Sequence, residues 1–286
     1  MRYDDDVLLD EVRICYVASN DDLCHLEAVE VGEFVEVDEY RLCRRTNDRF
    51  RCFFDVFLES ASVGQMKYGH YTDRDEFTTY VYFKVDNHIL YEAERLRRVL
   101  ELPTKMGMVF NNFTAIDLAF DSPQNLPTLI KQMMRDKDVT TIINGKAVRD
   151  RKSVVDGVLF MYSSTLNRLN NPTITVKQKK AIANKNDGIT VQAYNKKAEI
   201  EQSSKKQYIM DYHGNPKRLY RLEVRLHNQE LKDYFANSHI APTTDVLFDK
   251  ELLKDVFYYH LSTVIRFTRG RTKIQWKELL ECNGRG

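Results

Sequence analysis

Three short segments carry residue types suited to phosphoryl transfer: FTAIDLAFD at 113–121, ITVQAYNK at 189–196 and LYRLEVRLH at 219–227. Tyr194 supplies a hydroxyl that can attack a phosphodiester and hold one strand end covalently. A phenol with an ordinary pKa of about 10 is a weak nucleophile, so a neighbouring group or cation must stabilise the charge that develops. Asp117 and Glu223 suit a hard divalent cation, magnesium or manganese, which keeps several waters and takes only one or two protein carboxylates. Lys196, two residues beyond Tyr194, stands where it can pair with the attacked phosphate or with a phenolate. Arg221 and Arg225 flank Glu223 and suit bidentate contact with phosphates.

These groups meet only if each segment is a strand, because side chains along a strand point alternately to opposite faces. Ile116, Leu118 and Phe120 then share one face and Asp117 and Asp121 the other. Ile189, Val191 and Ala193 oppose Thr190, Gln192, Tyr194 and Lys196. Tyr220, Leu222, Val224 and Leu226 oppose Arg221, Glu223, Arg225 and His227. Asp121 lies about 13 Å along an ideal strand from Asp117, too far to share one ion with it.

The elements that must hold these strands are legible in outline. Runs at 29–37, 50–58 and 78–85 are rich in β-branched and aromatic residues and read as strands. Helical spacing of Leu90, Ala93, Leu96 and Leu100 predicts a helix over 90–102, ended by Pro103. A second helix starts near Ser122, capped by its hydroxyl, and buries Leu126, Leu129, Ile130, Met133 and Met134. Residues 249–268 read as a third, with Arg266, Arg269, Arg271 and Lys273 at its end and Trp276 packing the last helix down. Tyr208 and Tyr212 fall in a loop. The expected fold class is α+β: a large, mostly antiparallel sheet with helices on one face and a helical C-terminal extension. No repeat or linker divides the chain, so 1–110, 111–235 and 236–286 are expected as the N-terminal portion, the catalytic portion and that extension.

The formal charge is +1, but residues 1–60 carry a net −9 and residues 141–227 a net +10. Such asymmetry fits a face that meets phosphates. Within the basic block, Arg168, Lys177, Lys179, Lys180 and Lys185 are read as a DNA-tracking hairpin or loop over 165–188, closed by the turn Asn186-Asp187-Gly188, with Lys197 beside it. The stretch reads equally as an ordinary exposed insertion. With 43% apolar residues the chain is not a disordered one. No run approaches a membrane span and the start lacks a signal-peptide layout, which predicts a cytoplasmic protein with no membrane partner. Five cysteines in such a chain read as reduced thiols, and the separations among Cys15, Cys24, Cys43 and Cys52 exceed those of structural zinc sites. No His-x-His pair, phosphate-binding Gly-Lys loop or dinucleotide fingerprint occurs.

Taken in order, FTAIDLAFD, VQAYNKKAE and YRLEVRLHN resemble the three motifs of Rep_trans-type rolling-circle replication initiators of small bacterial plasmids. They resemble those of filamentous-phage initiators more loosely. LFMYSSTLN at 159–167 is similar to a fourth element of that family. Ala115 stands where the family often has arginine, Asn195 replaces an aspartate, and 165–188 is longer than usual. The resemblance implies an enzyme that nicks one strand at an origin, stays joined to the 5′ end through a phosphotyrosine and later rejoins the strand, with magnesium or manganese as cofactor. It makes Tyr194 the nucleophile, Asp117 and Glu223 the metal ligands, and Lys196 and Arg221 phosphate contacts. Origin DNA, double- and single-stranded, is the implied partner in a bacterial, mobile-element setting. A host helicase follows from the lack of an NTP-binding loop, and a homodimer remains open. Tyr162 is the reserve nucleophile, and the alternative reading is a non-catalytic, sequence-specific DNA-binding regulator.

Overall fold

Alternation of apolar and polar residues does produce strands through the first half of the chain, and more of them than the three runs named above. A computed structural model describes residues 6–70, 78–148, 159–163, 173–184 and 187–281. Its strands are β1 (Val7–Ser19), β2 (Phe34–Val37), β3 (Tyr40–Arg44), β4 (Phe50–Leu58), β5 (Ala61–His70), β6 (Thr78–Val85), β7 (Val109–Ser122), β8 (Val139–Ile143), β9 (Lys146–Val148), β10 (Leu159–Ser163), β11 (Thr173–Lys177), β12 (Thr190–Asn195), β13 (Tyr220–His227), β14 (Ile265–Arg269) and β15 (Thr272–Ile274). The α-helices are α1 (Asn20–Glu27), α2 (Ala93–Lys105), α3 (Leu126–Arg135), α4 (Lys179–Ala183), α5 (Lys196–Glu199), α6 (Gln207–Tyr212), α7 (Asn228–Asn237), α8 (Lys250–Val264) and α9 (Trp276–Glu281).

The class is α+β, built on an 11-stranded sheet in the order β10-β11-β12-β13-β7-β1-β6-β5-β4-β3-β2. The recorded registers of this sheet, such as β10 on β11, β12 on β13 and β4 on β5, are antiparallel. A second sheet of four strands runs β15-β14-β8-β9. Among the described residues no helix is long and apolar enough to cross a membrane.

The chain forms two compact units. One comprises Leu9–Ile116 and Phe235–Phe248. Its core is the alternate face of β4, where Cys52, Phe54, Val56 and Leu58 are buried, together with Tyr40, Val81, Phe83 and Val99 from β3, β6 and α2. The other comprises Met1–Leu8, Asp117–Tyr234 and Asp249–Gly286. There Val191 and Ala193 of β12 and Leu222, Val224 and Leu226 of β13 are all fully or nearly fully buried, and so are Leu126, Ile130 and Phe257.

Several boundaries differ from the sequence expectation for local reasons. Of 29–37 only Phe34–Val37 is strand, because Glu33 N–H bonds the Glu30 carbonyl in a turn where Gly32 adopts φ +92°. Pro103 lies inside α2, in its last turn, where its missing N–H costs one bond; Met106 N–H still reaches the Leu102 carbonyl. The cap of α3 is Asn125, whose Oδ1 accepts from Thr128 N–H at 3.1 Å, whereas Ser122 still belongs to β7. Tyr208 and Tyr212 are in α6 rather than in a loop. The long C-terminal helix stops at Val264, and alternation of Ile265 and Phe267 with polar residues carries the chain into β14; the basic cluster therefore sits on a hairpin, not at a helix end. Trp276 does pack inward: its Nε1 donates to the Ile265 carbonyl at 2.8 Å. Residues 173–177 form an internal strand between β10 and β12, so only part of 165–188 remains a connection; 164–172, with Arg168, and 185–186, with Lys185, lie outside the described residues.

Gly188 feeds β12, the strand that carries Tyr194. It adopts φ +69°, and a Cβ there would sit 2.8 Å from the backbone nitrogen of Ala181. Both the left-handed backbone and the contact with main chain oppose any side chain. Gly188→Ala is expected to lower stability by about 1–3 kcal/mol, seen as a lower urea midpoint with an unchanged slope.

Candidate active site

The polar faces of β7, β12 and β13 converge in one compact unit, as their alternation requires. Antiparallel pairing sets Tyr194 opposite Arg221, Gln192 opposite Glu223 and Thr190 opposite Arg225. A diagonal neighbour two residues along the partner strand is within reach of a long side chain. The Tyr194 hydroxyl accordingly donates to Glu223 Oε2 at 2.9 Å. Although Tyr194 is only 8% exposed, it is buried among polar groups and not in the apolar interior.

Lys196 is not a strand residue. It begins α5, which Asn195 caps by accepting the Ala198 N–H at 2.9 Å. An N-cap side chain that accepts such a donor starts a helix, so Asn195 turns the chain sharply here. The turn brings the Lys196 ammonium 3.5 Å from the Tyr194 hydroxyl and 3.0 Å from Glu199 Oε2. Lys196 is 2% exposed, and its carboxylate partner offsets the cost of burying an ammonium.

Asp117 and Glu223 do approach one centre. Arg225 Nε donates to Asp117 Oδ2 at 2.8 Å while its NH2 donates to Glu223 Oε1 at 3.0 Å. The two acids are almost fully buried, whereas the arginine side chain is 42% exposed. Two buried carboxylates drawn to one positive charge form a donor set that fits a hard divalent cation, the remaining positions falling to water and substrate. Arg225 holds that shared position in this structure. Among the described residues no group of three or more His, Cys, Asp or Glu gathers as a metal cluster.

Asp121 and Arg221 form a separate buried assembly. Arg221, expected to contact phosphate, is 0% exposed, and its Nε and NH2 bind Asp121 Oδ1 and Oδ2 at 2.7 and 2.6 Å. His213 Nε2 lies 2.9 Å from the same Oδ2. Its guanidinium is committed to this pair and does not face solvent. Burial alone would raise the Asp121 carboxyl; the charge and hydrogen bonds of Arg221, helped by His213, overcome that and hold it well below the ordinary carboxylate range. This assembly ties β7, β13 and the end of α6 together next to the tyrosine's strand pair.

The other basic candidates are dispersed. Lys177 is half-buried on β11, Lys180 is exposed on α4 beside Lys179, and Lys197 Nζ lies 3.4 Å from the Pro216 carbonyl. Tyr162 sits on β10 opposite Ile174, three strands from Glu223 in the sheet order. Sequence reasoning missed Glu199, His213 and the bridging role of Arg225. Glu199 is three residues from Lys196, a helical spacing hidden by reading 196 as strand. His213 carried no local signal, because it meets Asp121 across 92 residues of sequence.

Removing the charge of Asp121 strands a buried guanidinium. Asp121→Asn is expected to cost about 3–5 kcal/mol, measured by denaturant unfolding at neutral pH. The sign with pH follows from the depressed carboxyl. The native pair's contribution is complete above the unfolded carboxylate value of about 4 and is lost as pH falls from there toward the lower folded value. The wild-type minus variant stability difference therefore shrinks on acidification below that point; a difference that stays constant from pH 6 downward contradicts this assignment.

No protein-family model matches the chain, and no curated protein matches it. Among solved structures it is similar to one described as a rolling circle replication initiator protein from Geobacillus stearothermophilus, at 14% identity and a TM-score of 0.47, covering 93% of this chain and 88% of that one.

Proposed function

We propose that the chain is a replication initiator of the rolling-circle kind, which nicks and rejoins one DNA strand through a covalent link to Tyr194, with magnesium or manganese as cofactor. The observation that carries this reading is the tyrosine's setting: its hydroxyl donates to a buried carboxylate and has a buried ammonium on its other side. A structural tyrosine needs one hydrogen-bond partner; this one has a base and a cation, as an activated nucleophile requires.

The chemistry follows from those contacts. The phenolic proton passes to Glu223 Oε2 as the oxygen attacks phosphorus. The bond to the 3′ oxygen breaks, that oxygen leaves as a 3′ hydroxyl after taking a proton, and the 5′ phosphate stays on Tyr194. Rejoining runs the same steps backwards, with a 3′ hydroxyl displacing the tyrosine. Lys196 lies beside the phenol oxygen and offsets negative charge on the phosphate. Asp117 and Glu223 Oε1 are the oxygens that would hold the cation, which when bound withdraws charge from the phosphoryl oxygens. Glu223 thus turns one oxygen to the phenol and the other to Arg225, whose place the cation would take. Arg225, whose side chain is 42% exposed, would turn from the carboxylates to a phosphate as the cation takes its place.

Single strands of randomised sequence, labelled at the 3′ end and incubated with manganese or magnesium, should transfer label to the protein on a denaturing gel. Tyr194→Phe should give no labelled protein, and peptide mapping of the wild-type adduct should find the link at Tyr194. Linkage at Tyr162 would move the nucleophile, and no labelled protein under any condition would leave only a DNA-binding role. Glu223→Gln should slow label transfer about 10²–10⁴-fold without altering affinity for duplex DNA; transfer at the wild-type rate would rule out Glu223 as the base.

A further inference from the structure

The four-stranded sheet lies in the same compact unit as Tyr194 but supplies none of the groups around it. Its registers place Ala147, Ile142 and Arg266 in one cross-strand row, and Thr140, Thr268 and Lys273 in the next, on a single face. The opposite face carries Ile143, Thr141, Ile265 and Phe267, all buried. One side of this sheet is therefore core. The other presents cations and hydroxyls to solvent, and Arg271 projects from the β14–β15 turn beside Gly270.

Charge on this sheet is one-sided. Its strands hold Lys146, Arg266, Arg269 and Lys273 and not one Asp or Glu, in a chain with 42 acidic residues. Asp136 lies 3.5 Å from Arg269 and neutralises it. Arg266, Arg271 and Lys273 are exposed and have no ion-pair partner among the described residues. Arg45 and Arg51, which are also exposed, are by contrast each paired with a carboxylate, Asp55 and Glu27. A sheet face bearing cations without an ion-pair partner among the described residues, together with threonine hydroxyls, matches the groups that contact DNA phosphates.

We propose that the β14–β15 hairpin, with the exposed face of its sheet, is a second DNA surface that grips the phosphates of a duplex through Arg266, Arg271 and Lys273. It anchors double-stranded DNA independently of the strand engaged by the tyrosine. The choice of duplex DNA as partner rests on the strand-cutting reading above; the basic surface itself does not. The contacts are electrostatic, so binding through this face is independent of sequence and steeply dependent on salt.

Fluorescence anisotropy with a short mixed-sequence DNA duplex, titrated across salt concentrations, tests this. The combined variant Arg266→Gln, Arg271→Gln, Lys273→Gln should bind at least about tenfold more weakly, with a salt slope shallower by about 2 to 3. The same residues changed to lysine where they are arginine should retain the wild-type slope, and thermal unfolding should be unchanged in both. Label transfer from single strands to Tyr194 should proceed as in wild type. An unchanged slope in the glutamine variant overturns the proposal, as does an equal loss in the charge-preserving one. Tighter binding of a duplex RNA through the same residues would overturn the choice of DNA. If the wild type forms no covalent adduct and the slope still falls, the strand-cutting reading fails while this surface stands.

Discussion

The carboxylate of Glu223 receives a phenol on one oxygen and a guanidinium on the other. Everything else around the tyrosine follows from the need to give that buried carboxylate partners on both oxygens. An isolated charge in this position would be costly, and it persists because cations are brought to it in good geometry. Arg225 provides one and shares it with Asp117; Lys196 provides another on the far side of the phenol, restrained by Glu199. The result is a chain of alternating charge, Asp117–Arg225–Glu223–Tyr194–Lys196–Glu199, threaded across three strands and one helix turn.

Beside it stands a second, more fully buried ionic unit. Arg221 and His213 use both oxygens of Asp121, and Asp121 and Arg221 are closed to solvent. The two clusters divide labour by exposure. Arg221, sealed by Asp121, maintains the spacing of β7 and β13, whereas Arg225, two registers away on the same face, reaches the surface. Identical side chains on one strand thus acquire opposite roles because one is fully buried against Asp121 and the other keeps a side chain 42% exposed.

Much of this was legible in the sequence, because strand alternation is strict. FTAIDLAFD, ITVQAYNK and LYRLEVRLH each declare which residues share a face, and that rule alone brought Asp117, Tyr194 and Glu223 together. It failed where the period changed. Lys196 reads as the last alternating residue of a strand, yet Asn195 caps a helix one residue earlier. Likewise Ile265 and Phe267 fit a helical apolar stripe as well as a strand, and only pairing with β8 decides between them. Short strands such as β9 and β15, each three residues long, bury too little on their own to leave a pattern. Partner choice among charged groups was the least readable property. Nothing local distinguishes Arg221 from Arg225, and both pairings depend on which part of β7 lies alongside.

The separation in sequence of these partners has a temporal implication. Arg225 meets Asp117 across 108 residues, and Arg221 meets Asp121 across 100. Such distant pairings form late, since the entropy of closing the intervening chain must be overcome before the contact repays it. A polypeptide emerging from the ribosome therefore cannot form the Asp117–Arg225 and Asp121–Arg221 pairs until β13 has been synthesised and has docked. Any product truncated ahead of residue 223 would retain Tyr194 but lack the carboxylate its hydroxyl donates to and the guanidinium beyond it, so the ionic assembly arrives all at once, with β13.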